Sequence, residues 1–383
     1  MRIGIDGRYI QDQYHGIGRY LYETAYHLAA TYPDCEFVIF YNPTYRNSRF
    51  NMERLWSQSN VRLIEVNLPL FLPQQQLLWP FWLRKEQIDC FHTPYFDGPW
   101  FAPCPVFVTI HDLIFDRFPS YIPDKRLGLV YRLLTKIGLW RAKGVITISE
   151  ATKADLLDLY QVAPNKIWVT PEAAAPAFHP VDHEAKEEVR NRYQLPAKFI
   201  LTLGTMRPQK NIPTLLRAFA QILEQTDAKL VLAGQIDPRW PDTITPLIGE
   251  LGLQERIVQP GHIAEADLPA LYSLADLFAF PSTIEGFGLP PLEAMSCGTP
   301  VVASNCSSLP EVVGEAGLLV DPLNVEALAS ALLRILESPG CRRALATKSL
   351  QRAACFNWQR TAQLTMQAYQ TSYQQDPIMR VQL

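Results

Sequence analysis

Cysteine is scarce and scattered. The seven thiols (Cys35, Cys90, Cys104, Cys297, Cys306, Cys341 and Cys355) are odd in number and include no C-x-x-C pair. That pattern speaks against a disulfide framework and a zinc site, and it favours a reducing compartment. Net charge is also lacking. The 35 Lys and Arg nearly balance 38 Asp and Glu, leaving −3. Such a balance gives no reason to expect nucleic acid, and any polyanion affinity has to be local. No D-x-D occurs, so the usual carboxylate cluster for a divalent ion is missing and neither a metal nor another cofactor is expected. No apolar run reaches transmembrane length, and the opening Met1-Arg2-Ile3-Gly4-Ile5-Asp6 reads as a strand, not a signal peptide. The expected location is cytoplasmic.

A chain of 383 residues with 48% hydrophobic and 19% charged residues is globular and long enough for two domains. Strand-like apolar runs alternate with helical patterns throughout, as a parallel α/β sheet requires. The first set is Ile3–Asp6, Phe37–Tyr41, Val61–Val66, Cys90–His92, Val106–Ile110 and Val145–Ile148. The second is Phe199–Leu203, Lys229–Leu232, Ile257–Gln259, Leu277–Phe280, Val301–Ala303 and Leu318–Val320. Pro171 to Pro196, rich in Ala and Pro and then strongly charged, reads as the linker. The expected fold is two doubly wound, Rossmann-like α/β domains, 1–182 and 183–355, facing one another across a cleft. The tail 356–383 reads as an amphipathic helix carrying Trp358, Ala362, Met366 and Tyr369.

Two segments invite a membrane reading. Leu68–Leu83 is rich in Leu, Phe, Trp and Pro, and Leu127–Trp140 is apolar with Arg126, Arg132, Lys136 and Arg141 interspersed. Both suit peripheral contact with the inner face of a membrane or with a lipid-borne acceptor. Both equally suit core helices with solvated basic edges, which is the reading adopted here.

The chemistry concentrates in Glu285-Gly286-Phe287-Gly288-Leu289-Pro290-Pro291-Leu292-Glu293. The buried strand Leu277–Phe280 and Pro281-Ser282-Thr283 precede it, and a helix follows. Strand, glycine loop and helix together aim free N–H groups and a positive helix end at an anion such as a diphosphate. Gly286 and Gly288 let the backbone come close, and Pro291 fits the first helical turn. Glu293 is placed in that first turn and Glu285 in the loop. Acceptor-only carboxylates suit pairs of hydroxyl donors, although each also reads as an ordinary surface or loop carboxylate.

Three more stretches lie at strand ends. Gly204-Thr205-Met206-Arg207-Pro208-Gln209-Lys210-Asn211 gives a tight exit, two cations and an Asn able to cap the next helix. Arg207 and Lys210 near a helix N-terminus suit an arriving anion, or form a solvated basic loop. Gly16-Ile17-Gly18-Arg19-Tyr20 is expected between the first strand and first helix and lacks the third glycine of a dinucleotide fingerprint. His111-Asp112 follows Val106–Ile110, with His92 a lesser candidate. Ser149-Glu150 reads mainly as a helix cap.

The run from Pro281 to Val302 resembles the nucleotide-sugar-binding signature of retaining glycosyltransferase family 4, which has the GT-B architecture. The resemblance implies that Glu285 meets sugar hydroxyls and Glu293 the ribose. It implies that Lys210, with Arg207, holds the donor diphosphate; Gln209 stands where related sequences commonly carry arginine. The G-I-G-R-Y loop, with Gly16 and Gly18, would lie under the diphosphate, and His111 against the donor sugar. Gly204, Thr205, Gly234, Gly261, His262, Ile263, Ser282, Phe287 and Leu289 complete the implied donor site. The closing helix would pack back on the first domain. The implied activity is retaining, metal-independent transfer of a hexose from a UDP-glucose or GDP-mannose type donor. The implied acceptor is an oligosaccharide or lipid-linked glycan in surface polysaccharide synthesis. A nucleotide-sugar 2-epimerase and a non-catalytic sugar-nucleotide-binding protein remain the alternatives.

Overall fold

The computed structural model describes residues 1–122 and 125–374. Two compact units divide the chain: Met1–Glu172 with the stretch from Asn357 onward, and Ala173–Phe356. Each is built on one parallel sheet, and the observed architecture is the α/β, doubly wound one.

In the first unit the strands are β1 (Arg2–Asp6), β2 (Glu36–Tyr41), β3 (Val61–Glu65), β4 (Cys90–Thr93), β5 (Val106–Ile110), β6 (Gly144–Thr147) and β7 (Ile167–Val169), in the order β3-β2-β1-β4-β5-β6-β7. In the second they are β8 (Phe199–Leu203), β9 (Lys229–Ala233), β10 (Ile257–Gly261), β11 (Leu277–Phe280), β12 (Val301–Ser304) and β13 (Leu318–Val320), in the order β10-β9-β8-β11-β12-β13. Central strands such as β5 and β11 are buried at every position, which is why they read as continuous apolar runs and not as alternations. The order reverses beside β1 in one sheet and beside β8 in the other, so β1/β4 and β8/β11 are switch points, where ligands of open α/β sheets gather. Strand β7, only three residues of Ile167-Trp168-Val169, was too short to stand out in the sequence.

The helix Trp358–Gln374 belongs to the first unit and packs along the helix His15–Thr31. Tyr369 ties it to the sheet: its hydroxyl lies 2.6 Å from Nδ1 of His92 in β4. Its last expected part, 375–383, lies outside the described residues. His92 is thereby corrected as a site candidate. It is wholly buried, with Nε2 2.7 Å from Oγ1 of Thr109, and it is a packing residue.

Candidate functional site

In the second unit three neighbouring strands end in glycine. Gly204, Gly234 and Gly261 follow or close β8, β9 and β10, with φ of +134°, +117° and +75°. Gly204 N–H donates to the Ala233 carbonyl at 3.0 Å, and Gly234 N–H to that of Gly261 at 2.8 Å. A Cβ on Gly234 would sit 2.1 Å from the Gly204 carbonyl oxygen, so no other residue fits there. Thr205 and His262, just past these ends, are exposed, whereas Ile263 is buried.

The chain then turns through Pro208–Lys210 into the helix Ile212–Gln221. Asn211 does not cap that helix through its side chain. It adopts φ of +55°, and its amide donates to the carbonyls of Pro281 at 3.1 Å and Pro322 at 2.7 Å. The amide nitrogen thereby stitches the basic loop to the exit of β11, while its oxygen accepts from the Thr214 hydroxyl at 2.7 Å in the first helical turn. Thr283 N–H donating to the Gln209 carbonyl at 2.8 Å adds a second stitch. Across this seam the two halves of the expected site meet. Lys210 Nζ lies 2.7 Å from Glu285 Oε1, with both side chains mostly buried, and the ammonium also sits 4.5 Å from the centre of the Phe280 ring.

Arg207 is held elsewhere. Its Nε donates to Asp237 Oδ2 at 3.0 Å, and Arg239 donates to both oxygens of the same carboxylate. Hydrogen bonding from Arg239, with that from Arg207 adding to it, holds the Asp237 carboxyl well below the usual carboxylate range. Asp237, Arg239 and Trp240, whose ring lies 4.9 Å from Arg239 Cζ, escaped the sequence reading. The only available signal was the cluster Asp237-Pro238-Arg239-Trp240 just beyond β9.

The glycine loop is clamped from a segment that the motif does not include. Ser307 Oγ donates to the Glu285 carbonyl at 2.7 Å, and Ser308 Oγ donates to the carbonyls of Glu285 and Phe287 at 3.0 and 2.6 Å. Gly288 has φ of +118° and opens the helix Leu289–Ser296. Because that helix starts at Leu289, Glu293 falls in its second turn, not its first. It is buried, and Oε2 accepts the Tyr272 hydroxyl at 3.0 Å. Phe287 packs edge-on to Phe356. Ser282 is buried, and its hydroxyl has no hydrogen-bond partner among the described residues. The loop Gly286–Gly288 thus emerges from β11 with Glu285 at its mouth and a helix N-terminus behind it, an arrangement suited to an anion flanked by hydroxyls.

In the first unit Gly16 and Gly18 lie inside the helix His15–Thr31, not in a loop before it. The connection from β1 is instead the short turn Gly7–Tyr9. Arg8 there is buried, with Nη2 2.6 Å from Asp6 Oδ2, and it fixes the strand exit. Nothing lies within 4 Å of a Cβ placed on Gly16, so backbone there is approachable. A Cβ on Gly18 would come within 2.9 Å of the Tyr9 carbonyl oxygen, so Gly18 serves close packing. Tyr20 of the same motif sets its ring edge-on against His111, 5.0 Å between centres.

His111 is mostly buried at the end of β5. Its Nε2 lies 3.0 Å from the Pro94 carbonyl oxygen, an acceptor that requires the proton on Nε2, and Glu172 Oε1 is 3.8 Å from Nδ1, too far for a hydrogen bond. Burial pushes the imidazole down to about 4, partly opposed by the Pro94 carbonyl. His111 is therefore neutral near pH 7. Ser149 caps the helix Glu150–Tyr160 by accepting from Thr152 N–H at 3.1 Å. Among the described residues no three His, Cys, Asp or Glu side chains group as metal ligands.

Comparison with known proteins bears on both units. Residues 14–178 match the family described as Glycosyltransferase Family 4, and residues 185–352 match Glycosyl transferases group 1. O-antigen chain mannosyltransferase B of Escherichia coli is 32% identical over 92% of this chain and 95% of its own length. The serotype-specific mannosyltransferase WbdA of the same organism is 31% identical over 71% of this chain, which covers 33% of that longer protein. Among solved structures, sucrose-phosphate synthase from Thermosynechococcus elongatus superposes with a TM-score of 0.74 at 24% identity, covering 98% of this chain and 100% of that one. HepE from Anabaena, in complex with UDP and glucose, gives 0.73 at 20% identity, covering 96% and 99%. These two show the fold. The chain belongs to the family 4 glycosyltransferases and has their GT-B fold.

Proposed function

We propose that this glycosyltransferase moves a mannose from a nucleoside diphosphate, of the GDP-mannose type, to an oligosaccharide or lipid-linked glycan in surface polysaccharide synthesis. The transfer retains anomeric configuration and uses no metal. The Lys210–Glu285 contact carries the reading: one cation for a diphosphate, beyond β8, and one carboxylate for sugar hydroxyls, beyond β11, meet at one edge of the sheet. Mannose is favoured over glucose by the names of the two Escherichia coli relatives.

On this reading the acceptor oxygen attacks the anomeric carbon on the face that the diphosphate leaves. The bond to the diphosphate breaks with its electron pair on the phosphate oxygen, and that oxygen takes the acceptor's proton. Charge on the leaving group is met by Lys210, Arg207 and the N-terminus of Leu289–Ser296. Glu293 meets the ribose, and neutral His111 meets the donor sugar as a hydrogen-bonding group, not as a cation. The chemistry asks for no enzymic nucleophile, and the carboxylate-separation rule for hydrolases does not apply to this pair.

The test is incubation with GDP-mannose and UDP-glucose, with and without glycan acceptor, following nucleotide release and the anomeric proton of the product. Acceptor-dependent release of GDP with an α-linked product is expected. A new sugar nucleotide formed without acceptor would instead mean epimerisation, and binding without either product would mean an idle site.

A further inference from the structure

Strands β8 and β9 keep hold of each other after their glycine exits. Met206 N–H donates to the Gln235 carbonyl at 2.8 Å, and Met206 and Ile236 form a single parallel bridge. That short extension sets Arg207 and Asp237 side by side at the ligand edge of the sheet. The Asp237 carboxylate, 5% exposed, accepts from Arg207 Nε at 3.0 Å. It also accepts from Arg239, through Nε at 2.9 Å, Nη2 at 2.6 Å and the backbone N–H at 3.1 Å. One negative charge thus fixes two guanidiniums, and the cluster keeps a net positive charge. Arg207 gives the carboxylate only Nε and Arg239 leaves Nη1 outside the pair, so N–H donors remain to face a ligand. The turn that follows is closed by Trp240 N–H on the Asp237 carbonyl at 3.2 Å. It brings the half-buried indole against both cations, 4.9 Å from Arg239 Cζ and 6.0 Å from Arg207 Cζ. Arg239 is the more exposed of the two, 55% against 38%.

We propose that Arg239 and Trp240 form a subsite within the second unit for the terminal sugar ring of the acceptor glycan. The indole packs on the C–H face of that ring, and the guanidinium donates to its hydroxyl oxygens. The inference rests on the retaining transfer proposed above. There the acceptor oxygen attacks on the face that the diphosphate leaves and hands its proton to the leaving oxygen. The acceptor sugar therefore has to lie beside the cations that receive the diphosphate. Arg207 is one of those cations, and the groups joined to it through the shared Asp237 carboxylate are Arg239 and Trp240. Their chemistry suits a neutral sugar: a large apolar ring for C–H groups beside planar N–H donors for hydroxyls. The donor sugar and ribose are met by Glu285 and Glu293, which as carboxylates only accept. Arg239 only donates, so this subsite reads hydroxyl oxygens that the two glutamates do not.

Binding measured without turnover tests this. The full chain, loaded with GDP or UDP, whichever binds, is titrated with short oligosaccharides of mannose, glucose, galactose and N-acetylglucosamine. Saturation-transfer NMR follows the sugars, and calorimetry gives the affinity for the bare nucleotide. At least one oligosaccharide should bind saturably. Trp240→Ala and Arg239→Gln should each weaken it about tenfold, whereas Trp240→Phe, which keeps an aromatic ring, should retain most of it. Neither Trp240 variant should lose nucleotide affinity. Thermal melting checks that each variant folds. A wild-type chain that binds none of these sugars overturns the proposal, as does binding that neither Trp240→Ala nor Arg239→Gln weakens. Loss of nucleotide affinity in Trp240→Ala assigns the indole to the nucleobase and also overturns it. Failure of the transferase reading shows separately, in the acceptor-dependent nucleotide release described above.

Discussion

Lys210 Nζ and Glu285 Oε1 stand 2.7 Å apart although 75 positions separate them in the chain. The contact makes each residue the other's partner before any diphosphate arrives. Lys210→Ala removes the cation and leaves Glu285 uncompensated in a mostly buried position. Turnover should fall by about a hundredfold or more. Arg207→Ala should cost less, because Asp237 already engages that guanidinium. Steady-state transfer rates for the two variants check the order, and near-normal activity in Lys210→Ala would remove Lys210 from the diphosphate site.

The two glutamates should divide their effects. Glu293→Gln should weaken the bare nucleoside diphosphate by roughly tenfold to a hundredfold, the size of one charge-assisted hydrogen bond. Glu285→Gln should impair transfer without loss of bare-nucleotide affinity, since it also frees Lys210 from its carboxylate. Calorimetry with the nucleotide alone, beside transfer rates, resolves this. Equal loss of nucleotide affinity in both variants would sink the split between sugar and ribose.

Gly234→Ala should destabilise the second unit by about 3 kcal/mol or more, since overpacking and a positive φ act together. The denaturation midpoint should drop accordingly. An unchanged midpoint would mean that the strand ends shift readily.

Stability should fall as acid is added from pH 6.5 downward. Burial pushes His92 down to about 3 and His111 down to about 4, while in the unfolded chain both titrate near 6.5. Above pH 6.5 neither state takes up these protons. Below it the unfolded chain gains them first, so each imidazole lowers stability by on the order of 3 kcal/mol by pH 4. His111→Asn should reduce the slope of unfolding free energy against pH between 6.5 and 5 by about one proton. An unaltered slope would show that His111 is already protonated in the folded protein.

Excess chelator should leave transfer unchanged if, as proposed, cations and backbone N–H groups stand in for a divalent ion at the leaving group. Activity lost to chelation and restored by magnesium or manganese would refute that reading.

The parallel architecture was legible because buried strands such as Leu277–Phe280 leave long apolar runs, and because their C-terminal ends carry glycines. What lay hidden was long-range or conformational. The pairing of Lys210 with Glu285 depends on the stitch from Asn211 to Pro281, whose left-handed backbone the sequence does not announce. Ser307 and Ser308 reach Glu285 from beyond β12, so no local spacing links them to the motif. Gly16 and Gly18 read as loop residues because glycine disfavours helix interiors, yet both lie in the helix His15–Thr31, where Gly18 packs closely against the Tyr9 carbonyl.

The hydroxyl of Tyr369 reaching His92 has a consequence for synthesis. All seven strands of the first sheet precede the second unit, but the helix that seals one side of the sheet is encoded after that entire unit. The second unit can therefore mature while its predecessor is still open, with Phe107 and its neighbours awaiting a partner some 260 positions downstream. A released chain truncated before residue 357 should hold a folded second unit and an unfinished first one, and that exposed interval is where chaperones would be expected to act.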